Sequence, residues 1–441
     1  MTETLTPARA SSRRLGEQFR EFMHMEMAGG VFLVIAAVLA LVIRNSALGD
    51  SVDHFWHAHA IIQIGPISID ESLTHWVNDG LMAIFFFVAG LEIKRELVVG
   101  ELRDPKRAAL PAVAALGGMV VPAAIYTFIN FGGDGAGGWG IPLATDIAFA
   151  IGILAMVGRG LPSGLKVFLL SLAIADDIGA VVVIAIFYSS SISGLWLSIA
   201  CGLIALVLLM KRADIWFVPA YTIVGVGLWI AMFESGVHAT LAGVILGLLA
   251  PAVARKPEPT QLDIEPSVPL GVLRSVLTDA RETVPITDRL IHILHPWTAF
   301  VILPLFALAN SGVEISAGGL ADAATSPVTL GIIFGLVVGK VVGILVATWI
   351  AVTTGLGTLP AGVSWRAVTG VALLAGIGFT VSLFITGLAF EDPALRDAAK
   401  LGVLGASILA GCLGSAVLRR ESRERGEFEP EVGSAVEPAV H

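Results

Sequence analysis

Apolar runs of spanning or near-spanning length recur along the chain at 27–43, 75–91, 108–128, 142–158, 165–188, 193–210, 214–233, 236–251, 295–311, 326–352, 363–389 and 398–418. A bilayer core takes roughly 20 apolar residues of helix to cross. Lipid offers the backbone no hydrogen-bonding partner, so such runs must satisfy it internally. The sequence therefore predicts an all-α polytopic membrane protein of twelve transmembrane helices. Composition agrees: 56% of the 441 residues are hydrophobic and 14% are charged, against ~25% charged in soluble domains. The formal charge of −9 says little, because the charges sit in loops and tails. Nothing points to nucleic acid as a partner.

Basic residues orient the spans. Of the 27 Lys and Arg, all but Arg44, Arg396, Lys400 and Lys340 fall on one side of a twelve-span alternation. By the positive-inside rule that side is cytoplasmic, and both termini lie there. Lys340 lies inside a span. The run 27–43 follows a long charged arm with no small-residue cleavage site, so it is expected to be the first span and not a secretory signal. Cys201 and Cys412, the two cysteines, fall in apolar segments and imply packing, not a disulfide framework.

The predicted organisation is a cytoplasmic arm (1–26), eight spans (27–251), a cytoplasmic linker (252–294), four spans (295–418) and a disordered cytoplasmic tail (419–441). The Pro-rich, acidic stretch of the linker carries no nucleotide loop, metal cluster or enzyme signature. In the first outer loop, Ile62-Gln63-Ile64-Gly65-Pro66-Ile67-Ser68-Ile69-Asp70 alternates apolar and polar about a Gly-Pro turn. This predicts a small extracytoplasmic β-hairpin near 60–71. A lone two-stranded hairpin is marginal in water, so pairing with a second copy, and hence a homodimer, is expected.

Within the fifth run stand two adjacent carboxylates, Ala173-Ile174-Ala175-Asp176-Asp177-Ile178-Gly179. One charge at the bilayer centre costs at least ~2.5–3.5 kcal/mol. Residues kept at that cost usually line an ion or proton path. Adjacent helical residues point about 100° apart, so Asp176 and Asp177 cannot face one partner equally. One can line a cavity while the other pairs with Lys340. Their oxygens suit a hard cation such as Na+ or Li+, with Thr145 and water completing the shell. In general, burial and a like charge nearby favour the protonated form of a carboxyl. A carboxylate poised between the two can hold a proton or a metal ion, and that competition is sufficient for antiport. No resident cofactor is expected; the ions are substrates.

Two further spans carry signs of a broken helix. The fourth reads Pro142-Leu143-Ala144-Thr145-Asp146, where Pro142 lacks a donor and Thr145 and Asp146 can bond freed backbone groups. The eleventh reads Gly376-Ile377-Gly378-Phe379-Thr380, where paired glycines favour a second break. Broken helices expose peptide dipoles at membrane depth, which Asp146 and Lys340 suit. Asp146 has two readings, a carboxylate that only compensates a dipole and one that contacts the ion. Glu92, Arg95 and Glu96 share a helix face at the cytoplasmic end of the second span. They form either local ion pairs or a cation-attracting, pH-sensing funnel. His238 is a second candidate for pH response, or a packing histidine.

Together these stretches closely resemble the NhaA-type sodium/proton antiporters. The resemblance is carried by Gly90-Leu-Glu-Ile-Lys-Arg-Glu-Leu97, Pro142-Leu-Ala-Thr-Asp-Ile-Ala-Phe149, Leu172-Ala-Ile-Ala-Asp-Asp-Ile-Gly179 and Gly236-Val-His-Ala-Thr-Leu-Ala-Gly243. Leu294-His-Pro-Trp297, Leu303-Pro-Leu-Phe-Ala-Leu-Ala-Asn310, Gly339-Lys340 and Gly376-Ile-Gly-Phe-Thr380 follow in family order over roughly 15–418. It implies inverted-topology repeats in helices 3–5 and 10–12, with helices 4 and 11 unwound and crossing near the midplane. It implies Asp177 as the main ion-binding carboxylate, Asp176 as its partner in contact with Lys340, and Thr145 and Asp146 at the crossing. Glu92, Arg95, Glu96 and His238 match positions tied to pH response. The implied activity is electrogenic exchange of external protons for internal Na+ or Li+ across a bacterial inner membrane.

The sequence departs from the family in one place. The family pattern Leu-Glu-His-x-Leu-His-Pro-Trp has a glutamate where this chain has Ile291, so the family's pH profile does not transfer. Among rival functions, an intramembrane aspartyl protease would also need two membrane aspartates. Here they are adjacent, with no Gly-x-Gly-Asp and with a membrane lysine. A cation channel lacks a filter signature. A Na+-coupled symporter of similar architecture is opposed only by the ordered motifs.

Overall fold

The computed structural model describes residues 27–428, apart from 65–66, 159, 190–191, 216, 254–283 and 316. The N-terminal arm, the Gly-Pro turn of the hairpin, most of the linker and the end of the tail thus lie outside the described residues.

Among the described residues, seven helices are long and apolar enough to cross a membrane. They are α1 (Met27–Arg44), α4 (Pro105–Ile129), α6 (Ser163–Phe187), α7 (Gly194–Arg212), α10 (Ile286–Asn310), α12 (Pro327–Thr353) and most of α15, which spans Pro393–Phe428. Two pairs are bent at short breaks. A 3-10 helix, Asp134–Leu143, meets α5 (Ile147–Val157) at 46°, and α13 (Trp365–Ala375) meets α14 (Phe379–Ala389) at 43°. Counting each pair as one span gives nine. The remaining helices of seven or more residues are α2 (Gly49–Trp56), α3 (Met82–Val98), α8 (Val218–Glu234), α9 (Thr240–Leu249) and α11 (Ala317–Thr325). The chain is a multi-pass membrane protein.

Lipid tails are as apolar as leucine, so helices in a bilayer associate through close packing of small residues. Two contacts use this. Gly243 of α9 lies on the Ala83 carbonyl of α3, and a Cβ at Gly247 would come 2.5 Å from the Phe87 carbonyl. α3 and α9 therefore run parallel and in step. Gly117 of α4 and Gly343 of α12 face each other so closely that a Cβ on either would meet the other's carbonyl oxygen. Gly117→Ala is expected to cost about 1–3 kcal/mol by overpacking, read as a lower melting temperature of the solubilised protein. An unchanged melting temperature would show that α4 and α12 part there freely.

A π-turn, Phe334–Gly339, lies in α12 directly before Lys340. Its glycines 335 and 339 rest on Pro142 and Pro122. A residue without a backbone donor thus abuts a helix whose own hydrogen bonding is shifted.

The predicted hairpin is present. β1 (His59–Ile64) pairs antiparallel with β2 (Ile67–Ser72), from His59 opposite Ser72 to Ile64 opposite Ile67. Trp76 Nε1 donates to the Ala60 carbonyl at 2.9 Å and ties the ribbon to the start of the next span.

Two expected boundaries shift. The helix of the expected ninth span begins at Ile286, inside the predicted linker, because the amphipathic stretch 286–297 runs without a break into the apolar residues that follow. The predicted disordered tail is helical as far as Phe428. Its polar residues are anchored to the loop before α13: Glu421 accepts from Ser364 Oγ at 2.7 Å, and Arg425 donates to the Gly362 carbonyl at 2.6 Å. Charge composition alone does not reveal such partners.

Candidate functional site

The two helix breaks touch each other. The Asp146 amide donates to the Ile377 carbonyl at 2.6 Å, and Thr145 Oγ1 lies 2.8 Å from the Ala375 carbonyl. Ser382 Oγ donates to the Ile141 carbonyl at 2.7 Å. Each break thus satisfies carbonyls that the other leaves free, as membrane depth requires.

Asp146 caps two helices at once. Its Oδ1 accepts from the Phe149 amide of α5 at 3.2 Å. Its Oδ2 accepts from the Thr380 amide at 3.1 Å and from Thr380 Oγ1 at 2.7 Å, at the start of α14. A carboxylate between two positive helix ends is strongly favoured, and this geometry suits the dipole-compensating reading. It does not exclude the other, because Asp146 also lines the cavity described below.

Gly376 and Gly378 lie in the second break, but not for their conformational freedom. Their φ angles are −72° and −95°, which any residue adopts. Space is what demands them. A Cβ at Gly376 would strike the Leu336 carbonyl, and one at Gly378 would strike Ser382 Oγ and lie 3.1 Å from the Ala144 carbonyl.

Beside the breaks, Lys340 Nζ pairs with Asp176 Oδ2. Both side chains are fully buried. Thr145 Oγ1 lies 2.6 Å from that carboxylate oxygen and 3.1 Å from Lys340 Nζ. A hydroxyl has one proton. Thr145 therefore accepts from Lys340 and donates either to Asp176 or to Ala375. The stem of Lys340 runs past Gly118 of α4, where a Cβ would lie 3.7 Å from its Cδ.

Asp177 faces elsewhere, as helix geometry demands. It lines a cavity of about 60 Å³ together with Thr145, Asp146, Glu92, His295, Thr298 and Thr380. That volume admits several water-sized occupants at about 10–15 Å³ each. Asp177 Oδ1 is buried without a hydrogen-bond partner, and so is Asp176 Oδ1. Buried polar atoms are rarely left so. Of the three residues expected to hold Na+, Asp176 and Thr145 are thus engaged with Lys340, while Asp177 and Thr145 both reach the cavity. Among the described residues, no group of three or more His, Cys, Asp or Glu is arranged to hold a metal ion.

The expected pH-response group is split. Glu92 reaches the cavity. Arg95 Nε pairs with Asp288 Oδ1 at 3.2 Å, and Glu96 Oε1 accepts from the Glu101 amide at 2.8 Å. His238 is not with them. It precedes α9 and its Nε2 lies 2.6 Å from the Tyr188 carbonyl, so that nitrogen is the donor. Gly247 is level with Gly90 across the α3–α9 contact, and His238 lies nine residues back along the chain, about 13 Å by helical rise. It therefore sits at the far end of α9 from Glu92. Ile291, in place of the family glutamate, is buried.

Thr298 was not singled out by sequence, and His295 and Thr380 stood within motifs without an assigned role. Thr380 carried the clearest signal, a hydroxyl two residues after a glycine break, where a new helix must be capped.

With this geometry in view, the likeness to known proteins is specific. Residues 20–418 match the family model described as Na+/H+ antiporter 1. The Na(+)/H(+) antiporter NhaA 3 of Frankia alni is 47% identical over 412 residues, covering 91% of this chain and 88% of that protein. The Na(+)/H(+) antiporter NhaA of Rhodopirellula baltica is 46% identical over 414 residues, covering 91% and 93%. That of Wolinella succinogenes is 46% identical over 413 residues, covering 89% and 91%. A family match over most of the chain, with relatives this similar along nearly their full lengths, makes the chain a member of the NhaA-type sodium/proton antiporter family.

Proposed function

We infer that the protein is a secondary transporter and not an enzyme, exchanging Na+ or Li+ for protons across a bacterial inner membrane. The observation that carries the site assignment is Asp177, a carboxylate with one buried, unpartnered oxygen, which lines a cavity beside two helix breaks and a lysine-paired aspartate. Asp177 is the primary cation and proton site. Asp176 exchanges Lys340 for the cation when Na+ arrives, and Thr145 adds a neutral oxygen. A carboxylate neutralised by Na+ or by H+ can be carried across, whereas an empty charged site cannot, because its charge is too costly at that depth. More protons than ions move per cycle, so exchange is electrogenic. Glu92 lines the approach to the site and attracts cations. The two glycine- and proline-marked breaks are the crossing point of an inverted repeat: α4, the first bent pair and α6 against α12, the second bent pair and α15. That plan extends to twelve spans with both termini cytoplasmic.

Inside-out vesicles with an imposed pH gradient test this. Addition of Na+ or Li+ should collapse the gradient in wild type. A proton leak that ignores Na+ would indicate a channel instead.

The hairpin is the proposed dimer contact. Ile61 and Ile62 are 64% and 47% exposed on a two-stranded ribbon, which is marginal by itself. Deleting 60–71 should convert a dimer to a monomer by light scattering in detergent. A dimer that persists would move the interface elsewhere.

A further inference from the structure

Two tyrosine hydroxyls grip the half-helix that leads into the first break, and the exchange scheme above uses neither. The chain has three tyrosines, and two of them bind the ten-residue 3-10 segment Asp134–Leu143. From the end of α4, fully buried Tyr126 donates its hydroxyl to the Gly135 carbonyl at 2.8 Å. Just past the end of α6, Tyr188 Oη accepts from the Gly140 amide at 3.0 Å and donates to the Gly137 carbonyl at 2.9 Å.

The segment's composition is fitted to this grip. A Cβ at Gly140 would lie 2.6 Å from Tyr188 Oη. One at Gly138 would lie 2.6 Å from the Phe390 ring and closer still to Tyr126 Oη. Trp139, between those glycines, stacks on the Tyr188 ring with centroids 6.3 Å apart. Glycine lets the rings in, but it also removes stiffness from the chain. A 3-10 helix has poor hydrogen-bond geometry and rarely runs beyond 3–4 residues. A glycine-rich run of ten therefore needs outside restraint to keep a fixed course.

That course matters because the segment passes directly into Ala144, Thr145 and Asp146. Tyr188 stands eleven residues beyond Asp177, about 16 Å along the helical rise. α6 thus touches the first broken helix at two levels, through Tyr188 at its end and through the Asp176–Thr145 contact at its middle.

We propose that Tyr188 and Tyr126 are positioning residues for ion exchange. Their hydroxyls clamp the 3-10 half-helix between α4 and α6 and keep Thr145 and Asp146 in register with Asp176 and Asp177. The proposal rests on the assignment of Asp177 as the ion site. Such a clamp acts on the geometry of the loaded site, so its loss weakens ion binding more than it slows turnover.

The test is the Na+ dependence of exchange in vesicles for Tyr188→Phe and Tyr126→Phe, which keep the rings and remove only the hydroxyls. Tyr188→Phe should raise the KM for Na+ about five- to tenfold, with the maximal rate within about twofold of wild type. Tyr126→Phe loses one hydrogen bond where Tyr188→Phe loses two, and should give the smaller rise, about two- to fivefold. A lower melting temperature with an unchanged KM in both variants would overturn the proposal, leaving the hydroxyls as props of the fold. Failure of both to reach the membrane would overturn it as well. Asp177→Asn assayed in parallel separates the two claims. Exchange that survives Asp177→Asn removes the ion-site assignment, whereas unaltered tyrosine variants beside an inactive Asp177→Asn remove the clamp alone.

Discussion

Asp177→Asn is expected to abolish the collapse of an imposed pH gradient by Na+, lowering exchange at least about 30-fold. The side chain keeps its shape, so insertion and packing should survive. What it loses is the charge. An amide cannot release a proton to make way for a cation, and it meets a desolvated Na+ with a dipole where the carboxylate offered an ion. Removing one partner of a buried charge interaction typically costs 2–5 kcal/mol, about 30- to several-thousandfold in affinity. Asp177 lines the cavity and has no lysine partner among the described residues, whereas Asp176 is paired with Lys340, which makes Asp177 the carboxylate with most to lose. The same competition fixes the sign of the pH dependence. Protons and Na+ contend for one carboxylate, so the KM for Na+ in wild type should fall as pH rises on the side where Na+ binds. Exchange by Asp177→Asn at a tenth or more of the wild-type rate, with the protein present in the membrane at the same level, would refute the assignment.

The charged centre was legible in sequence because charge inside an apolar run has few innocent explanations. Asp176, Asp177 and Lys340 stood out before any contact was known, and the 100° step of a helix already required the two aspartates to face different partners. The breaks at 144–146 and 376–378 were legible for a related reason, since proline and paired glycines interrupt a pattern that is otherwise uniform. Long-range consequences were not legible. Gly376 and Gly378 were read as helix breakers by their conformational freedom, yet it is the Leu336 carbonyl at the first and Ser382 Oγ at the second that leave no room for a side chain. Asp146 was read as compensating a helix dipole or contacting the ion, but that it caps two helices was not legible, because its second partner, Thr380, lies 234 residues away. His238, like Glu92, matched a family position tied to pH response but lies at the far end of α9 from Glu92. The tyrosines at the ends of α4 and α6 are where interfacial aromatic residues are ordinarily found, so only their hydrogen bonds to Gly135, Gly137 and Gly140 reveal another task.

Lys340→Met should lower the stability of the protein by about 3–5 kcal/mol, the usual cost of leaving one member of a buried ion pair alone. Methionine fills most of the space of the lysine stem, so packing against Gly118 is largely kept and the loss is electrostatic. Asp176 would retain only Thr145 as a partner. An unpaired carboxylate can shed its penalty by taking up a proton. The destabilisation should therefore be greatest at high pH and shrink as pH falls, which a cavity left by poor packing would not do. Adding Asp176→Asn removes the stranded charge while keeping a group that accepts from or donates to Thr145. Replacing both members of a buried pair is often nearly neutral, so the double variant should recover most of the lost stability, by melting temperature at two pH values. A Lys340→Met protein as stable as wild type at high pH would contradict the buried pair. Recovery of stability without recovery of exchange assigns the pair a part in transport as well as in the fold. Recovery of both leaves Lys340 as a counter-charge for Asp176, with Asp177 as the carboxylate on which the exchange depends.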